Sequence, residues 1–316
     1  MKNKIILTGK HGRPSTKEVY RQMLSGTLVQ RRQLFTKVSR KFIKQYYRKF
    51  ISNNVDNLIK ETELSFLNSI VVRWGTREEI ETDKTSIVYN QSKAIAIATN
   101  KKLSRETFIA NNVSTPVLVI PSNFREEYLP IIARPLEHSK GANFVTLKTE
   151  SEFLNHFARN NEGWYYSQFI NKDREFRVHC GHGKILAVME KSNPENGNIA
   201  WNRAQNDTEP FTYVPWTQLD EQNLKCVVTE ALKATQAVGL DMSGVDVMLC
   251  GGTAVVLEVN TAPTLNTSEY VAGRWGMYFD WLFRSETKRD HWDFTQFKNA
   301  SSLVWKNKQL TEIENL

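Results

Sequence analysis

The sequence predicts a mixed fold, an α/β region followed by α+β lobes, and three observations carry that expectation. Over roughly the first hundred residues, strand-like runs alternate with helical ones, the pattern of a small parallel sheet with helices on its faces. From Val117 onward strands follow one another through turns, with helices between them, as in a mixed sheet backed by helices. A chain of 316 residues, 40% hydrophobic and 24% charged, has ordinary globular composition and room for two or three lobes.

Lys4 to Gly9 reads as a strand running into a glycine turn, and Ser15 to Gln30 as a helix capped by Ser15 or Thr16. Long polar helices are expected from there to about Leu67. Within them, Arg31, Arg32, Lys37, Arg40, Lys41, Lys44, Arg48 and Lys49 interleave with Phe35, Phe42, Tyr46, Tyr47 and Phe50. Leu34, Val38, Phe42, Ile43 and Tyr46 recur at helical spacing, which predicts an amphipathic helix with a solvated basic face. The same interleaving also suits nucleic acid, with cations on phosphates and rings on bases. Ile70 to Val72 is a buried-type strand, followed by a polar loop and then a helix from about Gln91 to Ala98. A further helix from about Ser104 to Asn111 stops before the extended Thr115-Pro116.

Beyond it, Val117–Ile120, Ile131–Arg134 and Phe144–Leu147 read as strands and Ser151–Arg159 as a helix. A strand at Trp164–Tyr166 and a hairpin from Arg174 to Lys191 come next. A polar loop from Ser192 to about Thr208 and a helix from about Asp220 to Gly239 lead to a last hairpin, and the stretch from about Ser285 is charged and peripheral.

The net charge of +8 favours acidic ligands: nucleotide phosphates, an acidic substrate or nucleic acid. No apolar run approaches the roughly 20 residues that span a membrane, and the apolar start is too short for a secretory signal. A cytoplasmic setting is expected. Cys180, Cys226 and Cys250 are widely spaced and odd in number, which fits reduced, buried thiols better than a disulfide framework.

The last hairpin, Gly244 to Pro263, is the most informative stretch. It carries Asp246, Glu258 and Asn260 on otherwise apolar strands. Carboxylates in such surroundings need partners, and a small set of hard oxygen donors suits Mg²⁺ that also grips substrate phosphates. Glu258 and Asn260 share a face by alternation, and Asp246 comes from the neighbouring strand. A two-residue turn at Gly251-Gly252 alone would set Asp246 opposite Leu257 and point it away from Glu258. A three-residue loop through Thr253, or an equivalent bulge, restores the pairing and is expected. The plain alternative is a strand end whose acids pair with nearby Arg or Lys.

In Arg174 to Cys180, alternation puts Phe176, Val178 and Cys180 on one face and Glu175, Arg177 and His179 on the other, a polar face suited to a wet cleft or to a solvent-facing hairpin edge. His179, Cys180 and His182 do not form a zinc set, because alternation separates the imidazole from the thiol. Arg134 to Asn143 reads as a loop able to fold over phosphates with Lys140 as a donor; an ordinary connector would look similar, and there is no Walker-type Gly-Lys-Ser.

Taken in order, Thr99 to Arg105 before Thr115-Pro116, Arg134-Pro135 before Gly141, Glu175 to Val178, and Gly244-Val-Asp246 followed by Leu257 to Pro263 resemble the ATP-grasp superfamily of carboxylate-amine ligases. The likeness is greatest to ribosomal-protein-modifying and glutathione-synthetase-like members and to short ATP-grasp proteins of bacteriophages. It implies an ATP-grasp fold: a small N-terminal α/β domain with basic helices (1–98), a central lobe (99–165), a C-terminal lobe with the metal site (166–284) and a peripheral tail (285–316), the two α+β lobes sandwiching the nucleotide. Thr264 stands where relatives commonly have glycine.

The resemblance implies ATP and Mg²⁺ as cofactors. Asp246, Glu258 and Asn260 would hold the metal; Lys102, or its neighbour Lys101, Arg134 and Lys140 would meet phosphates. The family usually has lysine where Arg134 stands; the arginine keeps the charge with a planar fork. Gln168, Phe169 and Ile170 would form the hinge beside adenine and Glu175 would meet the ribose, while Arg177, Lys191 and Asn202 would serve the chemistry. The implied activity is ATP-dependent amide formation through an acyl phosphate, on small-molecule or peptide carboxylates and amines. The alternatives are a nucleotide-gated nucleic-acid-binding protein using the basic segment at 31–49, and a ligase acting on a peptide tail or a modified base.

Overall fold

In the computed structural model the residues described are 5–8, 35–38, 70–75, 77, 82, 84–136, 144–191, 211–213, 220–263, 271, 274, 275, 278 and 282. Four short strands open the fold: β1 (Ile5–Thr8), β2 (Phe35–Val38), β3 (Ile70–Arg73) and β4 (Ile87–Tyr89). They pair in the order β2-β1-β3-β4, all parallel, as the first region predicts. The helix expected over 15–30 and, apart from 35–38, the helices expected from there to about Leu67 lie outside the described residues.

One expectation fails here. Phe35–Val38 is a strand paired with β1, not part of an amphipathic helix. Phe, Thr and Val suit a pleated surface, and a ladder offered by a distant strand outweighs local helical spacing. β4 falls where a loop is expected, because three residues give too short a signal.

A second sheet, β6-β5-β7, is antiparallel: β5 (Ile131–Pro135), β6 (Val145–Leu147) and β7 (Trp164–Gln168). Helix α3 (Glu150–Asn160) packs Phe153 onto Ile131, Ala133, Leu147 and Tyr166. Val117–Ile120 forms a single bridge, Leu118 to Ser167, rather than a full strand. Pro116 and Pro121 flank it and supply no N–H to a ladder.

The third sheet runs β10-β9-β8-β11-β12, all antiparallel: β8 (Arg174–Gly181), β9 (Lys184–Lys191), β10 (Phe211–Tyr213), β11 (Met242–Cys250) and β12 (Thr253–Asn260). One face is covered by α4 (Glu221–Ala237), α1 (Ser92–Thr99) and α2 (Lys101–Ala110), which share a core with Phe176, Val178, Cys180, Val245, Val247, Val256 and Val259. α2 begins earlier than its apolar spacing suggests because the Asn100 side chain accepts from the Leu103 N–H, fixing the first turn at Lys101. That cap sets which way each α2 side chain points.

Buried Asn90 joins the first and third sheets. It accepts from the Asp241 and Met242 N–H groups and donates to the Met242 carbonyl. Trp74, just past β3, packs edge-on against Trp275 at 5.1 Å. Among the described residues no helix is long and apolar enough to cross a membrane.

Candidate active site

The polar face of the third sheet is built by register. The turn at Gly251-Gly252 has two residues, both left-handed (φ 54° and 78°), and pairs Cys250 with Thr253 through to Val247 with Val256. The three-residue loop is therefore absent, since two successive glycines satisfy the tight turn. The expected bulge takes its place: Leu257 is left over between Val256 and Glu258, and Asp246 pairs with Glu258. Val256 and Val259 both reach the core, so the extra residue turns Leu257 and Glu258 together toward the other side.

Across β8, β11 and β12 a row then forms from Arg177, Asp246 and Glu258. Arg177 grips Asp246 with both arms, Nε to Oδ1 at 2.6 Å and Nη2 to Oδ2 at 2.7 Å, both side chains nearly sealed. Burial pushes the Asp246 carboxyl upward, against the pull of Arg177. Glu258, its side chain 31% exposed, takes the Lys101 ammonium from α2. Burial opposes its charge, yet Lys101 and then Arg177 hold it well below the ordinary carboxylate range. The plain alternative, acids paired with basic neighbours, describes these contacts as they stand.

The next row is His179, Gly244 and Asn260. A Cβ on Gly244 would lie 2.6 Å from the Pro263 Cβ, so only glycine lets the end of the hairpin fold back here. Asn260 stands beside Glu258 on β12, and its side-chain amide helps to hold that carboxylate charged. Two carboxylates, with roughly four acceptor sites each, and the side-chain oxygen of Asn260 on the same side make a set of hard oxygen donors that fits a divalent cation, Arg177 occupying two of the sites on Asp246. With three oxygen-bearing side chains from the protein, such an ion would keep open positions for water and phosphate; among the described residues no group of three or more His, Cys, Asp or Glu is gathered.

Glu175 lies further along β8, held between Lys172 and Lys191, whose ammonium is 3.3 Å from each Glu175 oxygen. His179 departs from the wet-cleft expectation. It is fully buried and its Nδ1 accepts from the Trp275 indole N–H at 3.1 Å, because the helical residues Trp275 and Tyr278 cover that end of the sheet. Alternation gave its face but not its cover.

Between the second and third sheets runs a cleft. Ile132, Arg134 and Ser167 to Ile170 form one wall, Met248 and Leu257 the other, and Arg105 and Pro116 close it. Gln168, Phe169 and Ile170, expected at the hinge, line the same cleft as Arg134. Of the expected lysines, Lys102 is exposed and Lys101 reaches the carboxylate row. Lys140 and Asn202 lie outside the described residues. Sequence reasoning missed Arg105 and Lys172; their signals were spacing, Arg105 one helical turn after Lys101 and Lys172 three residues before Glu175.

A model of the RimK-like ATP-grasp domain matches residues 90–274. A tetrahydromethanopterin:alpha-L-glutamate ligase of Methanocaldococcus jannaschii is 27% identical over 56% of this chain and 62% of its own. A probable alpha-L-glutamate ligase of Parasynechococcus marenigrum is 24% identical over 59% of this chain and 41% of its own. The chain thus spans less than two thirds of the length of these relatives. Among solved structures, D-alanine–D-alanine ligase from Bacillus anthracis complexed with ATP matches at TM-score 0.55 and 12% identity, over 88% of this chain and 96% of that one. The ATP-grasp ligase PsnB, complexed with a phosphomimetic variant of its minimal precursor, Mg and ADP, matches at 0.58 and 12%, over 89% and 99%. These two likenesses establish the fold.

Proposed function

Because the chain belongs to the RimK-like ATP-grasp family, we propose that it is an ATP-dependent ligase joining a carboxylate to an amine. The observation that carries this reading is the row Arg177–Asp246–Glu258, with Lys101 at its end, opening beside the cleft lined by Arg134 and Gln168 to Ile170. The relatives named as glutamate ligases support an amino acid as one reactant and a small-molecule carboxylate or amine as the other.

A carboxylate is a poor acyl donor until an oxygen is converted to a leaving group. Its oxygen attacks the γ-phosphorus, the bond to the β-bridging oxygen breaks and ADP departs; the amine then attacks the acyl carbon, inorganic phosphate leaves and the nitrogen loses a proton. In this chain Gln168 to Ile170 seat the base, and Lys172 and Lys191 hold Glu175 in place for the ribose hydroxyls. Lys101, Arg134 and Arg177 supply fixed positive charge toward the phosphoryl oxygens. Asp246, Glu258 and Asn260 would hold Mg²⁺, which supplies charge neutralisation on the β- and γ-phosphates when bound.

The nucleic-acid reading leaned on a basic helix at 31–49, and Phe35–Val38 is a strand instead, so ligation is favoured. The test is ADP release with Mg²⁺ across a panel of amino acids, polyamines and peptides, with product masses read directly. An amide product supports the proposal; ADP binding with no carboxylate-dependent turnover on any panel member rejects it.

A further inference from the structure

The cleft holds more positive charge than its carboxylates offset. Arg134 repels both Lys101 and Arg105 there, and Glu258 is the carboxylate that acts on both. Lys101 is matched by Glu258, which leaves two guanidinium groups in the cleft wall without a carboxylate of their own among the described residues.

Arg105 is the more deeply placed, 2% exposed. It follows Lys101 by one helical turn, so both project from the same side of α2. Its Nη1 donates to the Pro116 carbonyl at 3.4 Å and its Nη2 to the Leu257 carbonyl at 3.1 Å, which fixes the plane of the guanidinium. Its Nε is buried with no partner, and so is the Nε of Arg134. Burial, with repulsion from Arg134 adding to it, pushes the Arg105 guanidinium down to about 10. Neutral carbonyls do not offset a buried charge, and burying cations together is costly unless an anion joins them. A staple between α2 and β12 alone would be served equally well by an uncharged donor.

Resting on the nucleotide-site reading above, we propose that Arg105 is a nucleotide-binding residue, the third cation of a clamp with Lys101 and Arg134 that takes phosphoryl oxygens of the nucleotide. Its two carbonyl bonds preset the guanidinium, so little ordering is needed when the anion arrives.

The experiment measures Kd for ADP and for adenosine by calorimetry on the full chain, wild type beside Arg105→Met and Arg105→Lys. A charge-assisted contact predicts that Arg105→Met weakens ADP by about 10- to 100-fold, with adenosine moved by no more than about twofold, and that Arg105→Lys recovers most of the ADP affinity. If ADP and adenosine weaken in the same proportion and Lys gives no recovery, Arg105 is a staple and the proposal is overturned; unchanged ADP affinity in Arg105→Met overturns it equally. Should Arg105→Met not fold, Arg105→Gln keeps a donor for a carbonyl without the charge and is read in the same way. Wild type binding neither ligand would reject the nucleotide reading itself, whereas wild-type ADP binding with a failed variant pattern rejects the Arg105 assignment alone.

Discussion

Asp246 stands directly opposite Glu258 because Leu257 has no partner of its own. One surplus residue does two things: it restores the pairing that the two-residue turn would spoil, and it puts Leu257 in the cleft wall beside the carboxylate. If the row binds a divalent cation, Glu258→Gln should cut ADP release by about 100-fold or more. Asn260→Ala should act more mildly, raising the Mg²⁺ needed for half-maximal rate by about 10-fold. Titrating Mg²⁺ against initial rate in both variants checks this, and chelation should abolish turnover in the wild type. A Mg²⁺ requirement unchanged in both variants would remove the metal from this row.

Neighbouring lysines on α2 make a sharp comparison. Lys101 reaches Glu258 while Lys102 is turned to solvent. Lys101→Ala should therefore lower kcat/KM for ATP by about 10²-fold, and Lys102→Ala should leave it within about threefold. Steady-state kinetics at fixed ionic strength decide between them, and the reverse ranking would mean that α2 is rotated relative to the site.

His179 gives the fold an acid limb. Histidine ordinarily titrates near 6.5, but burial, helped by the charge of Arg177, pushes His179 down to about 3. Above about pH 6.5 folded and unfolded chains both carry it neutral, and nothing is gained or lost. As pH falls from there toward 3, the unfolded chain takes up the proton and the folded chain does not, so stability drops by up to about 1.4 kcal/mol per pH unit. Because the Trp275 N–H is a donor, His179→Gln preserves an acceptor for it without a titrating group. Urea midpoints at pH 7 and 5 should separate less in that variant than in wild type; equal separation would mean that His179 titrates normally.

Period-two alternation made the hairpin faces legible, and Glu175, Arg177, Asp246, Glu258 and Asn260 lie on one side of the sheet as expected. Loop and bulge give the same register, so pairing alone could not choose between them; the Gly251-Gly252 chemistry favours the tight turn. Lys101 could be told from Lys102 only after the Asn100 cap fixed the phase of α2, since one residue turns a helix by about 100°. The cover on His179 comes from Trp275, far along the chain, and Phe35–Val38 owes its strand to β1, so neither is encoded locally. The charge excess at Arg105 likewise appears only when α2, β5 and β12 are brought together.

The pair Arg177–Asp246 separates stability from chemistry. Removing one member of a buried pair strands the other, so Arg177→Met should cost about 3–5 kcal/mol of stability. Much of that loss belongs to the uncompensated Asp246 carboxylate rather than to any strength of the pair itself. Replacing both, as Arg177→Met with Asp246→Leu, should recover most of the lost stability, because an apolar pair of similar volume has no desolvation to offset. On the proposed mechanism activity should not return with it, since the double variant has neither the guanidinium assigned there to the phosphoryl group nor the carboxylate assigned to the metal. Thermal melting read beside ADP release tests both halves; recovery of turnover in the double variant would show that this pair is only part of the scaffold.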